Sequence, residues 1–435
     1  MDILFVDVPC VSSGMIDFDV DGSLLDVKRK CFNPGLLTIG TWCESQGLQV
    51  KIIAPESVLG FKRVFSELKK IHKFQMAALS IMSGMAYLAA LEIIDYIKQE
   101  EKDIRIIAGG WHIRCIGKQI FKENTKLDAI CLCEGEEAIY EYYVSPEIKH
   151  TGVIRRDDNI AEEDYCRIFD VEKLPDVDFC LYENYYEYRP FIEESRSCPR
   201  KCIHCVHSKH SVRYRCFSVT KFIKDFENCF DLFGKESYYT LLAANFGINP
   251  ELTVAKMRYL LDKNISWSAE MHVENPWEKY IDLLAPAGMK SVSIGVETVA
   301  PRVLKMMRKT NDGKNYVERA QTMIREFHDR GISVKVNVMT YPDLTFQELQ
   351  ETLDFIKYNR KYIDYINTSA ILSFPDTVLD DMFEHGAWKH SWKMKTESTN
   401  SIHLFPVESE LSRMSYNNVL QIFSNFKDEM NFEKV

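Results

Sequence analysis

The chain has 435 residues, 46% of them hydrophobic and 27% charged, with a formal net charge of −10. That length exceeds one ordinary core and predicts two domains, while the composition is that of a globular protein. The acidic balance argues against nucleic-acid binding, which needs a basic face, and no basic segment leads into an apolar run at the N-terminus, so no export signal is expected.

Over the first 155 residues short apolar runs alternate with segments of helical period. Residues 2–8, 50–54, 76–82, 104–110 and 127–133 predict strands, and 35–46, 57–71, 84–100, 114–123 and 136–144 predict helices. Such alternation builds a doubly wound, Rossmann-like parallel sheet, which takes ligands beyond the carboxyl ends of its strands. Gly109-Gly110 falls at one such end, and CEGEEAI (133–139) falls at another. The stretch MAALSIMSGMAYLAALEII (76–94) imitates a membrane span, but Ser83-Gly84 divides it into a strand and a helix carrying Glu92 and Asp95. A span requires continuous apolar length, so no membrane segment is expected.

Residues 156–185 lose this rhythm; RRDDNIAEEDY is charged and KLPDVDF holds a proline, which predicts a linker crossing the surface. A second series spans 186–375. Strands are predicted at 188–194, 236–243, 265–271, 290–296, 332–339 and 363–370, with helices near 218–231, 250–263, 276–287, 313–330 and 345–359. Six βα units are too few to close an eight-fold barrel and suit a partial (β/α)6 TIM barrel with its site at the carboxyl end of the strands. The tail, 376–435, reads as a short helical cap carrying Phe383, Trp388, Trp392 and Phe405. The fold class is therefore α/β throughout, two domains and a tail.

Thirteen cysteines are scattered mostly singly, which fits buried packing in a reducing, cytoplasmic setting better than disulfides. Three are not scattered. SRSCPRKCIHCVHSKH (195–210) sets Cys198, Cys202 and Cys205 in a C-x3-C-x2-C pattern just after the first strand of the second domain. Structural zinc wants four closed ligands, often as two C-x2-C pairs. Those pairs are absent, although His204, His207 and His210 stand near enough to supply a fourth. Three thiolates on an iron–sulfur cube would leave one iron open, as a catalytic site requires.

This spacing on the first loop of a partial barrel resembles the radical S-adenosylmethionine (SAM) superfamily. The resemblance implies a [4Fe–4S] cluster held by Cys198, Cys202 and Cys205, with SAM on the open iron and a 5′-deoxyadenosyl radical as the product of its cleavage. It places His204 where a ring lines the adenine. SVSIGVETVAPRVLKMMRK (291–309) looks like the family's fourth-strand segment and brings Glu297 and Thr298 toward the SAM ribose or amino-acid end. VNVMTYPDLTFQEL (336–349) and SFPDTVLDDM (373–382) are similar to later segments, with Thr340 and Asp343 in place of two glycines. AANFGIN (243–249) falls where relatives carry two acids; Ala243 and Ala244 stand there, which leaves Asn245 and Asn249 as candidates.

The first half resembles the cobalamin (B12)-binding domains fused to such barrels. NPGLLTIGTWCESQGLQVKII (33–53), LSIMSGMAYLAALEIIDYIKQ (79–99), IIAGGWH (106–112) and CEGEEA (133–138) match in order. Gly84, Gly109, Gly110 and Gly135 allow close backbone approach, and Ser80 and Ser83 are placed to hydrogen-bond the nucleotide tail. No D-x-H-x-x-G sequence occurs, so a lower histidine ligand to cobalt is not expected. Together the resemblances imply methyl transfer to an unactivated carbon, through the 5′-deoxyadenosyl radical and methylcobalamin. The alternative keeps the radical and drops the methyl group: epimerisation, rearrangement, cyclisation or oxidation, with or without cobalamin. Glu270, His272 and Tyr341 sit at strand ends as candidate catalytic or substrate contacts. The resemblance also implies a flavodoxin or ferredoxin-type electron donor. The short tail favours a small molecule or short peptide as substrate.

Overall fold

The structure is a computed structural model that describes residues 1–9, 30–82, 84–158, 167–210, 213–341, 344–369, 374, 376–384 and 416–430. The described residues fall into two compact units, one ending at Tyr188 and the next beginning at Arg189.

The first unit alternates as its apolar runs predict: β1 (Ile3–Asp7), α1 (Pro34–Ser45), β2 (Val50–Ile53), α2 (Val58–Ile71), β3 (Met76–Ser80), α3 (Gly84–Glu100), β4 (Arg105–Gly109), α4 (Trp111–Ile116), β5 (Ala129–Cys131), α5 (Gly135–Val144) and β6 (Val153–Arg155). The sheet runs β2-β1-β3-β4-β5-β6. β1 to β5 are parallel and β6 pairs antiparallel to β5. Leu4, Val6, Ala77, Leu79, Ile106, Ala108 and Ile130 pack with Ala90, Ile93 and Ile97 of α3 in one core, the near-continuous apolar strands that a doubly covered sheet needs. Asn33 starts α1: its side-chain oxygen accepts from the Leu36 amide at 3.2 Å, and Pro34 fills the first helical position.

Three features depart from expectation. The helix foreseen at 114–123 begins earlier, at Trp111, because Gly110 turns the chain at φ 98°, and it breaks at Gly117. β6 has three residues, too few to show a period. The segment expected as a linker crossing the surface, 156–185, is packed in its described part: Phe169, Phe179 and Tyr182 are buried, and Tyr182 bridges Ile52 at the sheet edge. In the tyrosine-rich run YENYYEYRPF (182–191), Tyr182 and Tyr188 are packed, with Phe32 stacked on Tyr188 at 4.7 Å, while Tyr186 is exposed.

The second unit holds β7 (Phe191–Glu193), the hairpin strands β8 (Ser195–Arg196) and β9 (Arg215–Cys216), α6 (Val219–Phe233), β10 (Tyr238–Leu242), α7 (Pro250–Leu260), β11 (Ser266–His272), β12 (Met289–Glu297), α8 (Pro301–Met306), α9 (Gly313–Asp329), β13 (Ser333–Met339), α10 (Phe346–Tyr358), β14 (Tyr365–Ser369), α11 (Val378–Glu384) and α12 (Tyr416–Glu429). Six strands form one all-parallel sheet in the order β14-β13-β12-β11-β10-β7. Side chains alternate across it. Trp267, Met271, Val292, Ile294, Val334 and Val336 are buried on one face; Ser268, Glu270, Ser291, Ser293, Lys335 and Asn337 lie on the other.

The helix expected at 276–287 shrinks to a 3-10 turn and Ile281–Leu284, and α8 appears where none was foreseen. In the tail, α12 buries Phe423 and Phe426, while Lys357 pairs with Glu429 at 2.9 Å. Trp388, Trp392, Phe405 and the Phe383 side chain lie outside the described residues. Among the described residues, no helix is long and apolar enough to cross a membrane, and the 76–94 stretch is β3 and the start of α3.

Candidate active site

The cysteine loop leaves β8 through Ser197, whose φ of 67° is the left-handed region a side chain seldom adopts, and returns on β9. Inside it the Cys205 amide donates to the Cys202 carbonyl at 3.0 Å, closing a tight turn. Neighbours hold the loop on three sides. The Ile203 amide donates to Met307 O at 3.1 Å, the Leu379 amide donates to Ile203 O at 3.0 Å, and Arg200 pairs with Glu274. Burial raises all three thiols, Cys205 to about 11; the Lys309 charge opposes it at each, and Cys198 and Cys202 interact electrostatically with Cys205. All three thiols thus lie in one electrostatic neighbourhood. Among the described residues, no group of three or more His, Cys, Asp or Glu side chains is arranged to hold a single metal ion.

Lys309 is one charge that all three thiols feel. It is buried, and its Nζ donates to Glu297 Oε1 at 2.8 Å. Glu297 ends β12 at φ 65°, beside a register shift in the β12–β13 pairing. The cramped geometry needs Gly295: a Cβ there would lie 2.8 Å from Glu297 Oε1 and 2.9 Å from Lys309 Nζ. Tyr316 completes the enclosure by donating its hydroxyl to Gly295 O at 2.7 Å. Burial and the Glu297 carboxylate act oppositely on Lys309, and its pKa ends raised, so it stays charged. One fixed cation beside three thiols is what a cluster held by three thiolates would need for charge compensation.

His272 is placed differently from a free base. Its Nδ1 accepts from the Glu274 amide at 3.1 Å, which puts the proton on Nε2, directed at the Lys309 backbone. Burial, with the nearby Lys309 and Arg200 charges, pushes its pKa far down, so the ring is neutral. Its own amide donates to Asn245 Oδ1 at 3.0 Å. Asn245 also accepts from Asn275 Nδ2 at 2.6 Å, and its side chain reaches Cys198. Asn249, in contrast, caps α7 by accepting from the Leu252 amide. Thr298 is spent internally: its hydroxyl meets Thr352 Oγ1 at 3.0 Å and accepts from the Ala300 amide at 3.1 Å.

His204 lies against the same site. Burial lowers its pKa to about 4, and its buried Nδ1 makes no hydrogen bond. Tyr341 is buried rather than open at a mouth. Glu270 is exposed on the polar face of the sheet and lines a cavity with Thr240, Leu242, Ser268, Ser291 and Ser293.

In the first unit, Ser80 lies at the carboxyl end of β3 and accepts from Asn33 Nδ2 at 3.0 Å; the same amide donates to Asp7 Oδ1 at 2.8 Å. The Ser80 hydroxyl keeps its own proton to donate, so this polar set at the end of an apolar parallel sheet fits the tail of a flat cofactor. The glycines serve the protein itself. A Cβ at Gly110 would lie 2.6 Å from Ile81 O, and one at Gly135 would lie 2.6 Å from Ile39 Cδ1. Gly109 packs against Cys131. Ser83 lies outside the described residues. Sequence reading passed over Lys309, Gly295 and Asp7; the lysine closes the 291–309 motif, but its pairing with Glu297 has no signal in periodicity.

The radical SAM superfamily model matches residues 192–356, and the B12 binding domain model matches residues 22–142. An uncharacterized methyltransferase of Pyrococcus horikoshii is 23% identical over 337 residues, 72% of this chain and 71% of its own. The bacteriochlorophyllide d C-12(1)-methyltransferase of Chlorobaculum tepidum is 23% identical over 49% of this chain and 48% of its own, so the chain spans about half of that relative. Among solved structures, the radical SAM methyltransferase TsrM from Kitasatospora setae, with cobalamin and a [4Fe–4S] cluster bound, superposes with a TM-score of 0.71 at 15% identity, over 96% of this chain and 84% of its own. The cobalamin-dependent SAM radical enzyme OxsB gives 0.74 at 16% identity, over 98% of this chain and 66% of its own. At these identities the two structures establish the fold. With both domain models matched in one chain, the chain belongs to the radical SAM superfamily of enzymes and carries a B12-binding domain ahead of its radical SAM domain.

Proposed function

We propose that this protein is a cobalamin-dependent radical SAM methyltransferase acting on an unactivated carbon of a small molecule or short peptide. The observation that carries the reading is the pairing of a B12-binding domain with a three-cysteine radical SAM loop in one chain, in company with relatives named as methyltransferases. When bound, the cluster supplies the electron that splits SAM into methionine and a 5′-deoxyadenosyl radical, and the corrinoid carries the methyl group.

The chain's own residues then have distinct tasks. Cys198, Cys202 and Cys205 would hold the cluster through their thiolates, and as three ligands they would leave SAM a place on it. Lys309 balances their charge, and Glu297 fixes Lys309 while presenting its remaining carboxylate oxygen to the site. Asn245 positions Cys198. His272 acts through Asn245 and the Lys309 backbone, a positioning residue rather than a base. The neutral His204 ring offers a flat face for the adenine. Glu270, among hydroxyls in the cavity, contacts substrate, and Tyr341 supports the wall from behind. Ser80 donates to the corrinoid tail. A flavodoxin or ferredoxin of the cytoplasm delivers the electron, in a compartment that keeps the described free thiols reduced.

Anaerobic reconstitution with iron, sulfide and hydroxocobalamin tests this. The expected load is about four irons and about one cobalt per chain. With a low-potential reductant such as titanium(III) citrate present to take the cobalt from Co(III) to Co(I), SAM with a deuterated methyl group should then give S-adenosylhomocysteine and leave the label on the corrinoid before any substrate is added. Iron without cobalt, together with 5′-deoxyadenosine and no S-adenosylhomocysteine, would move the assignment to a radical reaction without methyl transfer.

A further inference from the structure

At the hairpin from which the cysteine loop departs, Lys256, Glu194 and the partly buried Cys216 form a second group of reactive side chains. Lys256 of α7 and Glu194, which follows β7, are both buried, with side chains 0% and 1% exposed. Lys256 Nζ lies 3.0 Å from Glu194 Oε1, 3.3 Å from Glu194 O and 3.2 Å from Cys216 Sγ. The Cys216 thiol in turn donates to Glu194 Oε1 at 3.1 Å. Nitrogen, sulfur and carboxylate therefore form a closed triangle. The second carboxylate oxygen, Glu194 Oε2, is buried without a hydrogen-bond partner. A buried polar atom left unpaired is costly, and the proposed active site makes no use of any of these groups.

We propose that Cys216 and Lys256 are a covalent modification site at which dioxygen links the two side chains through one oxygen atom, as Nζ–O–Sγ. The chemistry balances. A proton passes from the ammonium to the carboxylate, for which Oε2 is the open position. The amine and the thiol then react with dioxygen to give the linked pair and one water. One N–H bond, the S–H bond and the O–O bond break; N–O, S–O and two O–H bonds form. Sulfur and nitrogen each give up two electrons, and dioxygen takes all four. Four equivalents of a small thiol reverse the link, returning amine, thiol and water with two disulfides formed.

The location gives the link a consequence. Cys216 lies on β9 opposite Ser195 of β8, the hairpin from which the cysteine loop departs and to which it returns. A bridge to α7 staples the base of that loop to the helical layer under oxidising conditions, when an oxygen-sensitive cluster is most at risk, and releases it when thiols are restored. The pair is set up for this reaction and not for a disulfide, since the polar groups around the sulfur are the Lys256 ammonium, the Glu194 carboxylate and the Tyr214 hydroxyl, and none of them is a thiol.

The test uses the full chain, kept anaerobic or equilibrated with air, then digested and analysed by mass spectrometry. Air-treated protein should give a linked pair of peptides containing Cys216 and Lys256, heavier than their sum by one oxygen atom less two hydrogens. The pair should be absent from anaerobic protein and from air-treated Cys216→Ser and Lys256→Arg, should persist in Cys229→Ser, and should vanish with dithiothreitol. The comparison of air-treated with anaerobic wild type needs no variant to fold. Cys216 recovered as a sulfinic acid or a disulfide with Lys256 unmodified, a link that dithiothreitol does not reverse, or no linked peptide after air exposure overturns the proposal.

Discussion

Lys309 shows how much one enclosed charge decides. Its ammonium is buried with Glu297 against it and three thiols nearby, so removing it strands a carboxylate in a site closed to water. Truncating one partner of a buried pair costs about 3–5 kcal/mol. Lys309→Met should lower the unfolding free energy by that order in a urea titration and should also reduce the iron retained after reconstitution. Full iron retention would separate the lysine from the cluster. Gly295→Ala tests the same geometry without touching a charge, because the added methyl lies within 3 Å of both partners. SAM cleavage should fall at least tenfold, a loss of about 1.4 kcal/mol in transition-state terms, with the cluster still loaded. Asp7 offers a pH signature in the first unit. Burial raises its pKa to about 6 from 3.8, against the lowering pull of Asn33 and Tyr182. The native state therefore binds the extra proton, and Asp7's contribution is greatest below about pH 4, falls as pH rises to about 6, and is flat above that. Asp7→Asn keeps an acceptor for Asn33 and should remove this slope. The wild-type-minus-variant difference in unfolding free energy, followed from pH 4 to 7, should decline with pH; a flat difference would mean that Asp7 titrates normally.

At the scale of elements, the strand–helix alternation was legible because a parallel sheet covered on both faces needs apolar runs and caps, and these are local. In the structure Asn33 and Pro34 start α1, and Thr345 with Glu348 closes a capping box at α10. What the sequence left hidden depends on contacts across distance. β6 is three residues long and pairs antiparallel. α8 is a short helix started by Pro301 and docked where Gly313 admits Pro301 against α9. The C-x3-C-x2-C spacing of Cys198, Cys202 and Cys205 is visible in the sequence because it is local. Glu297 came from a motif, whereas the partners of His272 and Thr298 appear only when strand ends are brought together. Gly135 is instructive: read as room for a cofactor, it is room for Ile39, where α5 packs on α1. Gly135→Ala should therefore cost stability through overpacking, about 1–3 kcal/mol, measured as a shift in denaturation midpoint at unchanged slope. Unchanged stability accompanied by weaker hydroxocobalamin binding would restore the cofactor reading.

For the whole molecule, two compact units and two cofactor classes make a joint prediction. A ligand that binds only the native state stabilises it, by about 2.7 kcal/mol at a hundredfold excess over Kd, and the gain falls first on the elements whose opening frees the ligand. Hydroxocobalamin added to the full chain should slow amide hydrogen exchange at the carboxyl ends of β3 and β4, around Ser80 and Gly109, where the sheet ends in its polar set. Reconstitution of the cluster should instead slow exchange in the cysteine loop and at the ends of β11 and β12, which Glu274, His272 and Lys309 tie together. The two patterns must be measured separately and then with both cofactors present. Protection that simply adds means that each unit binds its own cofactor independently. Protection beyond the sum is a coupling free energy between the two sites, and methyl transfer, which needs both cofactors to serve one substrate, predicts that coupling. Hydroxocobalamin that leaves β3 and β4 unprotected would remove cobalamin from the first unit and, with it, the methyltransferase assignment.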